Sequence, residues 1–139
     1  MSTGRRTSRG TSGRRQTRAA AAALTRRELA LIVRALQARK AIDLLVLDLA
    51  GVSEAADYFV IASGSSDTHV RSLAEHVLGS LRDAGVRPHH EEGVAGGRWA
   101  LLDFVDCVVH VFHPTLRDYY QLERLWADAA PVALEQLAT

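Results

Sequence analysis

Apolar positions along this chain change spacing several times, and the changes predict a series of short helices and strands. Thr25, followed three residues later by Glu28, has the pattern of a helix N-terminus, and apolar positions at helical spacing continue to about residue 39. The apolar runs 42–49 and 58–63 are too short for surface helices and are typical of strands buried on both faces. The pattern therefore predicts one helix followed by two buried strands.

The clearest helical pattern lies in the middle of the chain. Apolar residues between 70 and 81 recur at intervals of three and four, and the segment 64–67 supplies a turn glycine and two candidate caps. Gly85 is expected just beyond the last turn. The proline within residues 86–90 favours a short strand at the edge of a sheet, and residues 91–97 are expected to form a glycine-rich loop.

A hairpin is predicted next. Residues 99–103 and 107–111 have the composition of strands, and we expect a tight antiparallel turn at 104–106. Helical spacing returns over 117–126, and a short terminal helix is expected after Asp128. The order α-β-β-α-β-β-β-α predicts an α/β fold, in which a single domain has a mixed β-sheet flanked by helices.

The first 23 residues differ in composition from the rest. They contain six arginines, no acidic residue, and no leucine, isoleucine, valine or aromatic residue, so residues 1–23 are predicted to be a disordered basic tail. The chain has 17 basic and 16 acidic residues, which leaves 11 basic against 16 acidic, a net charge of −5, beyond the tail. This balance favours a basic protein partner over a phosphate backbone. We expect at most weak RNA contact by the tail, which is more commonly a solubilising extension.

The single cysteine and the short apolar runs indicate the cellular compartment in which the protein is expected. The single cysteine, Cys107, excludes an internal disulfide and agrees with a reducing compartment. No apolar run reaches the roughly 20 residues that span a bilayer, so we expect a cytoplasmic protein with no membrane partner. The tail also has the acid-free, arginine- and serine-containing composition of a transit peptide, which leaves a mitochondrial or plastid location open.

Nucleotidyltransferase chemistry has little support in the sequence. Residues 63–67 connect a predicted strand to a helix, a position where many α/β proteins bind phosphate. Such an enzyme also needs two carboxylates on one strand face to hold a metal, whereas Asp103 and Asp106 are three residues apart and point to opposite faces of a regular strand. We therefore favour a helix cap and turn for residues 63–67.

The histidines and the cysteine do not form a recognisable metal motif. His110 has the opposite strand parity to Cys107 and His113, and neither a CxxC nor an HExxH spacing is present. Cys107 lies in an apolar run, where a thiol normally packs as a small hydrophobic group. We expect no metal, no cofactor and no nucleophilic cysteine.

The alternation of residues 99–104 places two kinds of side chain on opposite faces. Ala100, Leu102 and Phe104 form the better core face, so Trp99 and Leu101 are expected on the other face beside Asp103. Aromatic rings next to acids are typical of protein-binding anchors. From this pattern alone, a docking face and a second buried core face remain equally good interpretations.

Three stretches together resemble one known family. They are residues 57–66 with His69-Val70, the run from Trp99 to Phe112 with its Trp-x-x-x-Asp-x-x-Asp-x-Val-Val-His pattern, and Tyr120-x-Leu122-Glu123-x-Leu125-Trp126. This combination resembles the ribosomal silencing factor family, also called RsfS or Iojap-related proteins. The resemblance covers residues 24–126, so residues 1–23 and a C-terminal extension, residues 127–139, lie outside it.

The resemblance implies a fold and a partner. It implies a nucleotidyltransferase-like α/β fold without the catalytic carboxylates, and therefore no enzymatic activity. It also implies binding to the L-fourteen protein of the large ribosomal subunit, which blocks joining of the small subunit and represses translation when nutrients are short. Members tend to form homodimers, and organelle relatives act in assembly of the large subunit.

We hypothesise one partner-binding face, with Trp99 as the buried anchor and two aspartates pairing with basic groups of the ribosomal protein. Its residues are Trp99, Leu101, Asp103, Asp106, His110, Tyr120 and Glu123. Two alternatives stay open: a nucleotide-binding transferase-like enzyme that uses Ser65, Ser66 and Asp67, and an organelle large-subunit assembly factor whose tail is a transit sequence.

Overall fold

The computed structural model describes residues 2–116 and 128–137, with side chains from residue 17 onward. The helix expected over 117–126, which includes Tyr120 and Glu123, lies outside the described residues. The described elements are α1 (Ser2–Ala38), β1 (Ile42–Asp48), β2 (Tyr58–Ser63), α2 (Asp67–Asp83), β3 (His90–Glu92), β4 (Trp99–Asp103), β5 (Cys107–Phe112), β6 (Ala130–Pro131) and a 3-10 helix (Leu134–Gln136).

The described strands form one six-stranded sheet in the order β3-β4-β5-β2-β1-β6. The two central strands, β2 and β5, run parallel, whereas each of the other neighbouring pairs is antiparallel. The connection between the parallel strands contains α2 and the β3–β4 pair, which provides the length that a parallel crossover needs. The prediction of an α/β fold with a mixed sheet is confirmed.

Alternate strand residues face two different layers. On one face, Val60, Leu102 and Val109 are fully buried in a cluster that includes the apolar sides of α1 and α2. On the other face, Ile61 and Phe112 belong to a second buried cluster, against which Trp99 packs. The sheet therefore has a helix-covered face and an opposite face, and we call the second one the Trp99 face.

The start of α1 differs from the sequence prediction. The Thr25 hydroxyl donates to the carbonyl of Ala21 at 3.0 Å, one turn back along the same helix, so Thr25 is not an N-cap and the prediction of a helix start there is wrong. The helix begins at Ser2 and includes the segment predicted to be disordered. Five consecutive alanines, residues 19–23, favour this continuation because alanine has the highest intrinsic helix propensity. The division at residue 23 stays a prediction.

The second helix agrees with its prediction at both ends. The Ser66 hydroxyl accepts a hydrogen bond from the His69 N–H at 3.1 Å and caps the first turn of α2. Gly85 follows the C-cap with a φ of +83°, a conformation that glycine adopts without steric cost. One face of α2 is buried, as the apolar spacing requires.

The edge strand has the predicted position in the sheet but different bounds. The Val86 N–H donates back to the carbonyl of Leu81 at 2.8 Å, and Pro88 has no N–H to donate. Strand pairing therefore begins only at His90, which lies opposite Asp103. β3 shares His90 with the predicted strand and continues over residues 91 and 92, where a loop is expected, and its side chains are exposed.

The predicted hairpin is confirmed. β4 and β5 pair antiparallel, and the Phe104 N–H donates to the Cys107 carbonyl at 2.9 Å across the turn. Val105 has a φ of +75°, which is unfavourable for a β-branched residue. The Asp103 carboxylate accepts the Val105 N–H at 2.8 Å and so helps to hold this conformation.

The C-terminal residues complete the sheet and the core. Residues 130–131 form β6, which pairs with β1, and the Val132 N–H donates to the Val46 carbonyl at 2.8 Å. Leu137, after the 3-10 helix, belongs to the cluster on the helix-covered face. The strand and 3-10 helix replace the single short helix expected after Asp128, because Pro131 cannot continue a helix from residues before it.

Changing a leucine to alanine should destabilise the protein more on the helix-covered face of β4 than on the Trp99 face. Leu102→Ala removes a fully buried side chain, so we expect it to lower the free energy of unfolding by about 2–5 kcal/mol in urea denaturation. Leu101→Ala is the matched control, since Leu101 is the next residue and is only half-buried on the Trp99 face. Equal losses for the two variants would contradict the assignment of the faces.

Candidate protein-docking surface

Trp99 is held in a defined orientation on β4. It lies opposite Phe112 in the β4–β5 register, and the two rings stack with centroids 5.2 Å apart. The indole Nε1–H donates to His110 Nδ1 at 3.3 Å. The side chain is half-buried, so part of the indole faces outward while its base is fixed by these two contacts.

His110 forms the base on which Trp99 rests. Only 8% of the residue is exposed, and its ring lies 5.0 Å from that of Phe59 and 6.0 Å from that of Phe112. Burial lowers the pKa of His110 to about 4, so the imidazole is neutral at physiological pH. Because Nδ1 accepts the indole N–H, the ring proton is on Nε2, which has no hydrogen-bond partner within the described part of the chain.

Leu101 and Asp103 continue the Trp99 face toward the hairpin turn. Leu101 pairs with His110 on β5 and Asp103 pairs with Val108, and both side chains are half-buried. The structure therefore brings four of the predicted site residues to one surface. They are Trp99, Leu101, Asp103 and His110, with His110 beneath the others.

Asp106 does not lie with this group. Its carboxylate accepts from the Thr25 hydroxyl at 3.4 Å, and Thr25 belongs to α1, on the helix-covered face. Burial and the neighbouring Asp106 charge raise the pKa of Glu28, also on α1. The structure thus separates Asp106 from Asp103, because the two residues between them form a tight turn. Tyr120 and Glu123 lie outside the described residues.

The sequence reasoning missed the contribution of β3 to this surface. In the antiparallel register, Glu92 lies opposite Leu101 and His90 lies opposite Asp103. The side chains of His90 and Glu92 contact each other, with Nε2 and Oε1 2.8 Å apart. The sequence predicts the edge strand only up to His90, because the polar pattern and the glycines of residues 91–97 are typical of a loop.

The segment 63–67 is closed by contacts of its own. The Ser65 N–H donates to His69 Nδ1 at 2.8 Å, and His69 Nε2–H donates to the Arg39 carbonyl at 2.7 Å. A Cβ at Gly64 would approach the Val70 nitrogen to 2.8 Å, so the backbone is tightly packed there. The Ser66 cap and these contacts confirm the interpretation of residues 63–67 as a turn and a helix cap.

Cys107 lies on the helix-covered face and is fully buried. Burial, with further contributions from Glu28, Asp106 and Asp57, raises its pKa to about 12. A thiol in this environment carries almost no thiolate, the form that acts as a nucleophile or metal ligand. Across residues 2–116 and 128–137, no three His, Cys, Asp or Glu side chains are grouped closely enough to hold a metal ion.

None of the helices in residues 2–116 and 128–137 combines the length and the apolar composition needed to cross a bilayer.

Comparison with known proteins gives one consistent family. A model of the family "Ribosomal silencing factor during starvation" matches residues 14–139. The chain is 44% identical over 91 residues to "Ribosomal silencing factor RsfS" of Bacillus subtilis, covering 66% of this chain and 77% of that protein. The match extends beyond residues 24–126 at both ends, and the predicted resemblance is confirmed.

A solved structure and an organelle protein extend the comparison. A crystal structure of a Chromobacterium violaceum protein has a TM-score of 0.70 at 37% identity and covers 72% of this chain and 83% of that one. "Protein Iojap, chloroplastic" of Zea mays is 32% identical over 100 residues, which are 68% of this chain and 41% of that protein. The fold and the Iojap relationship therefore agree with the family match.

The buried His110 predicts a specific pH dependence of stability. The unfolded chain protonates this histidine near pH 6.5 and the folded chain only near pH 4, so the unfolded state binds more protons between these values. The contribution of this histidine to the free energy of unfolding is therefore fully present above about pH 6.5, and it falls by about 3 kcal/mol as the pH drops to 4. Urea denaturation at several pH values measures this loss.

His110→Phe keeps an aromatic ring in the site and should give a flatter curve than the wild type between pH 6.5 and 4. The raised pKa of Glu28 acts in the opposite direction, but it is common to both proteins and cancels in their difference. His89→Gln, which removes an exposed histidine, is the control and should keep the wild-type slope. An unchanged slope in His110→Phe would refute the role of burial.

Proposed function

This chain belongs to the family of ribosomal silencing factors, and we propose that it represses translation under nutrient limitation by binding the large ribosomal subunit. In this proposal, the L-fourteen protein of that subunit is the direct partner, and the bound chain prevents the small subunit from joining. The observation that carries the proposal is the half-buried Trp99, fixed from below by Phe112 and His110 and flanked by an acidic side chain.

The geometry of Trp99 suits a binding anchor. Tryptophan is enriched among the residues whose truncation costs most at protein interfaces. Stacking on Phe112 and the hydrogen bond to His110 already restrict its rotamers, so little further conformational entropy is lost when a partner covers it. Leu101 adds apolar area beside it, and Asp103 supplies a charge at the edge of the same face.

Charge supports a basic protein as the partner of this face. Residues 41–139, which include the whole sheet, contain 6 of the basic and 15 of the acidic residues, a net charge of −9. Asp103 and Glu92 are on the strands that form the Trp99 face. Complementary charge speeds encounter and fixes register, and a contact of about 800 Å² per partner is enough for specific binding.

A steric mechanism needs no catalytic group. The segment 63–67 forms a helix cap and turn, and the Cys107 thiol is buried with a raised pKa, which supports a role without chemistry. We therefore propose that the chain acts only by occupying space on the subunit. Calorimetry with a nucleoside triphosphate and magnesium tests this, and measurable binding or turnover would favour the transferase-like alternative.

Two further parts of the proposal have separate tests. We propose that the free chain forms a homodimer, which sedimentation equilibrium measures directly. We propose a cytoplasmic location. The match to the chloroplast protein of Zea mays keeps the organelle assembly factor as a second candidate, and the N-terminus of the mature protein distinguishes the two.

Truncation of the anchor is the central test. Trp99→Ala should remove about 2–4 kcal/mol of binding to the large subunit, so that the variant no longer keeps the subunits apart in sucrose gradients. Trp99→Phe retains a ring over Phe112 and should keep part of the effect. Leu24→Ala is the control, because Leu24 is an apolar side chain, 57% exposed, on α1.

Circular dichroism and urea denaturation first establish that each variant is folded. A folded Trp99→Ala that blocks subunit joining as well as the wild type would refute the assigned face.

The separation of the two aspartates gives a second test. Asp103→Asn keeps an acceptor for the Val105 N–H but removes the charge from the Trp99 face, and should slow association with the large subunit roughly severalfold at low salt. Asp106→Asn is the matched control, because Asp106 is directed toward Thr25 on the other side of the domain. Surface plasmon resonance at several salt concentrations measures both. Equal effects would mean that both carboxylates face the partner.

A further inference from the structure

The charge of this chain is divided between α1 and the rest of the molecule. Residues 1–40 contain 11 of the 17 basic residues and only one of the 16 acidic residues, Glu28, a net charge of +10. Residues 41–139 carry −9, so the overall charge of +1 conceals two opposite regions. The basic region is not confined to the first 23 residues, since it continues through α1 to Lys40.

The structure makes this basic region one continuous helix. Thr25 is buried, whereas each residue from 17 to 24 is exposed. The part of α1 before Thr25 has roughly the length of 35 Å that 23 helical residues span. Arg26, Arg27 and Arg34 are exposed on the part of α1 that packs on the sheet.

Within residues 17–116 and 128–137, no acidic side chain forms an ion pair with an arginine of α1. The two ion pairs found in the described residues are His90–Glu92 and His113–Asp67, and neither involves α1. Surface charge that only increases solubility is commonly mixed in sign, whereas this helix has one sign along nearly its whole length. Residues 2–23 of α1 also lack the apolar stripe with which the later turns pack on the sheet, which favours an external partner for them.

The composition of the helix identifies the class of partner. Residues 1–23 lack the apolar side of a membrane-inserting helix, because they contain no leucine, isoleucine, valine or aromatic residue. Ten of the 11 basic residues are arginines, whose planar guanidinium matches phosphate oxygens with two parallel hydrogen bonds. A polyanion with closely spaced phosphates fits this helix best.

We infer that α1 is an RNA-binding arm, which contacts the phosphate backbone of structured RNA without reading its sequence. This contact goes beyond the proposed function, because it uses a different surface and needs no ribosomal protein. It also revises the expectation of weak RNA contact by the first 23 residues alone, since the arginines at 26, 27 and 34 extend the same basic surface.

Fluorescence anisotropy with a labelled RNA duplex of about 20 base pairs and arbitrary sequence tests the arm on the full chain. Binding should weaken steeply with salt, because each neutralised phosphate releases counterions. Changing the six N-terminal arginines to glutamine, a good helix former, should weaken binding at least about tenfold and flatten the salt dependence. These substitutions are at Arg5, Arg6, Arg9, Arg14, Arg15 and Arg18.

Two matched triple variants locate the contact. The first variant changes three exposed arginines of α1 to glutamine, at positions Arg26, Arg27 and Arg34. The second variant changes three exposed arginines outside α1, at positions Arg82, Arg87 and Arg98. Both variants lose the same charge, so only the α1 triple should weaken RNA binding beyond the small effect of net charge. Equal effects, or no RNA binding by the wild type, would overturn the inference. Preferential binding to anionic vesicles or to polyglutamate would also overturn it.

Failure of the arm and failure of the proposed function have different signatures. Trp99→Ala should keep full affinity for the duplex, because the indole lies on the other side of the sheet. If the arm is wrong, the wild type does not bind protein-free RNA, whereas its effect on subunit joining still depends on Trp99. If the proposed function is wrong, RNA binding persists while subunits join freely.

Discussion

The parallel pairing of β2 with β5 is the constraint on which the rest of the structure depends. It aligns Phe59 with Val108 and Ile61 with His110, and the Asp106 carbonyl accepts from the N–H groups of both Asp57 and Tyr58 where the pairing begins. Because these strands are central, each has neighbours on both edges and layers on both faces. His110 lies on one of these central strands and is therefore buried. Its burial explains both its lowered pKa and its role as a support for Trp99.

The same arrangement explains how a small domain presents a rigid binding surface. One side of the sheet is stabilised by α1 and α2, so the opposite side does not have to supply all of the buried apolar area. Trp99 and Leu101 remain half-buried there, on a hairpin that is hydrogen-bonded along its length. Aromatic anchors on strands are more accurately positioned than anchors on loops, which suits a protein that we propose to act by occupying space.

Much of this fold could be predicted from local patterns, and the exceptions have physical causes. The spacing of apolar residues in α2 and the alternation in β4 determine which side is buried, so the helix bounds and the two faces of the hairpin were predictable. Pro88 predicts an edge strand near β3, but the bounds of β3 are not predictable, because an exposed edge strand carries no hydrophobic pattern and depends on pairing with β4. Strand parity already predicts that Asp103 and Asp106 point to opposite faces, and the structure agrees with this parity rather than with the hypothesis of one docking face that holds both. Thr25 was read as a cap because its sequence signature does not reveal whether helix precedes it.

The path of α1 has a consequence for any large particle that the chain binds. Leu29, Ile32 and Leu36 fix the helix against the sheet side opposite to Trp99, so its direction is set by the folded core. A flat surface that covers the indole therefore leaves the packed part of α1, with Arg26, Arg27 and Arg34, on the far side of the sheet. If both surfaces bind at once, the binding site must be concave, with protein on one side of the domain and RNA on the other. The shape of the site would then contribute to specificity together with its chemistry.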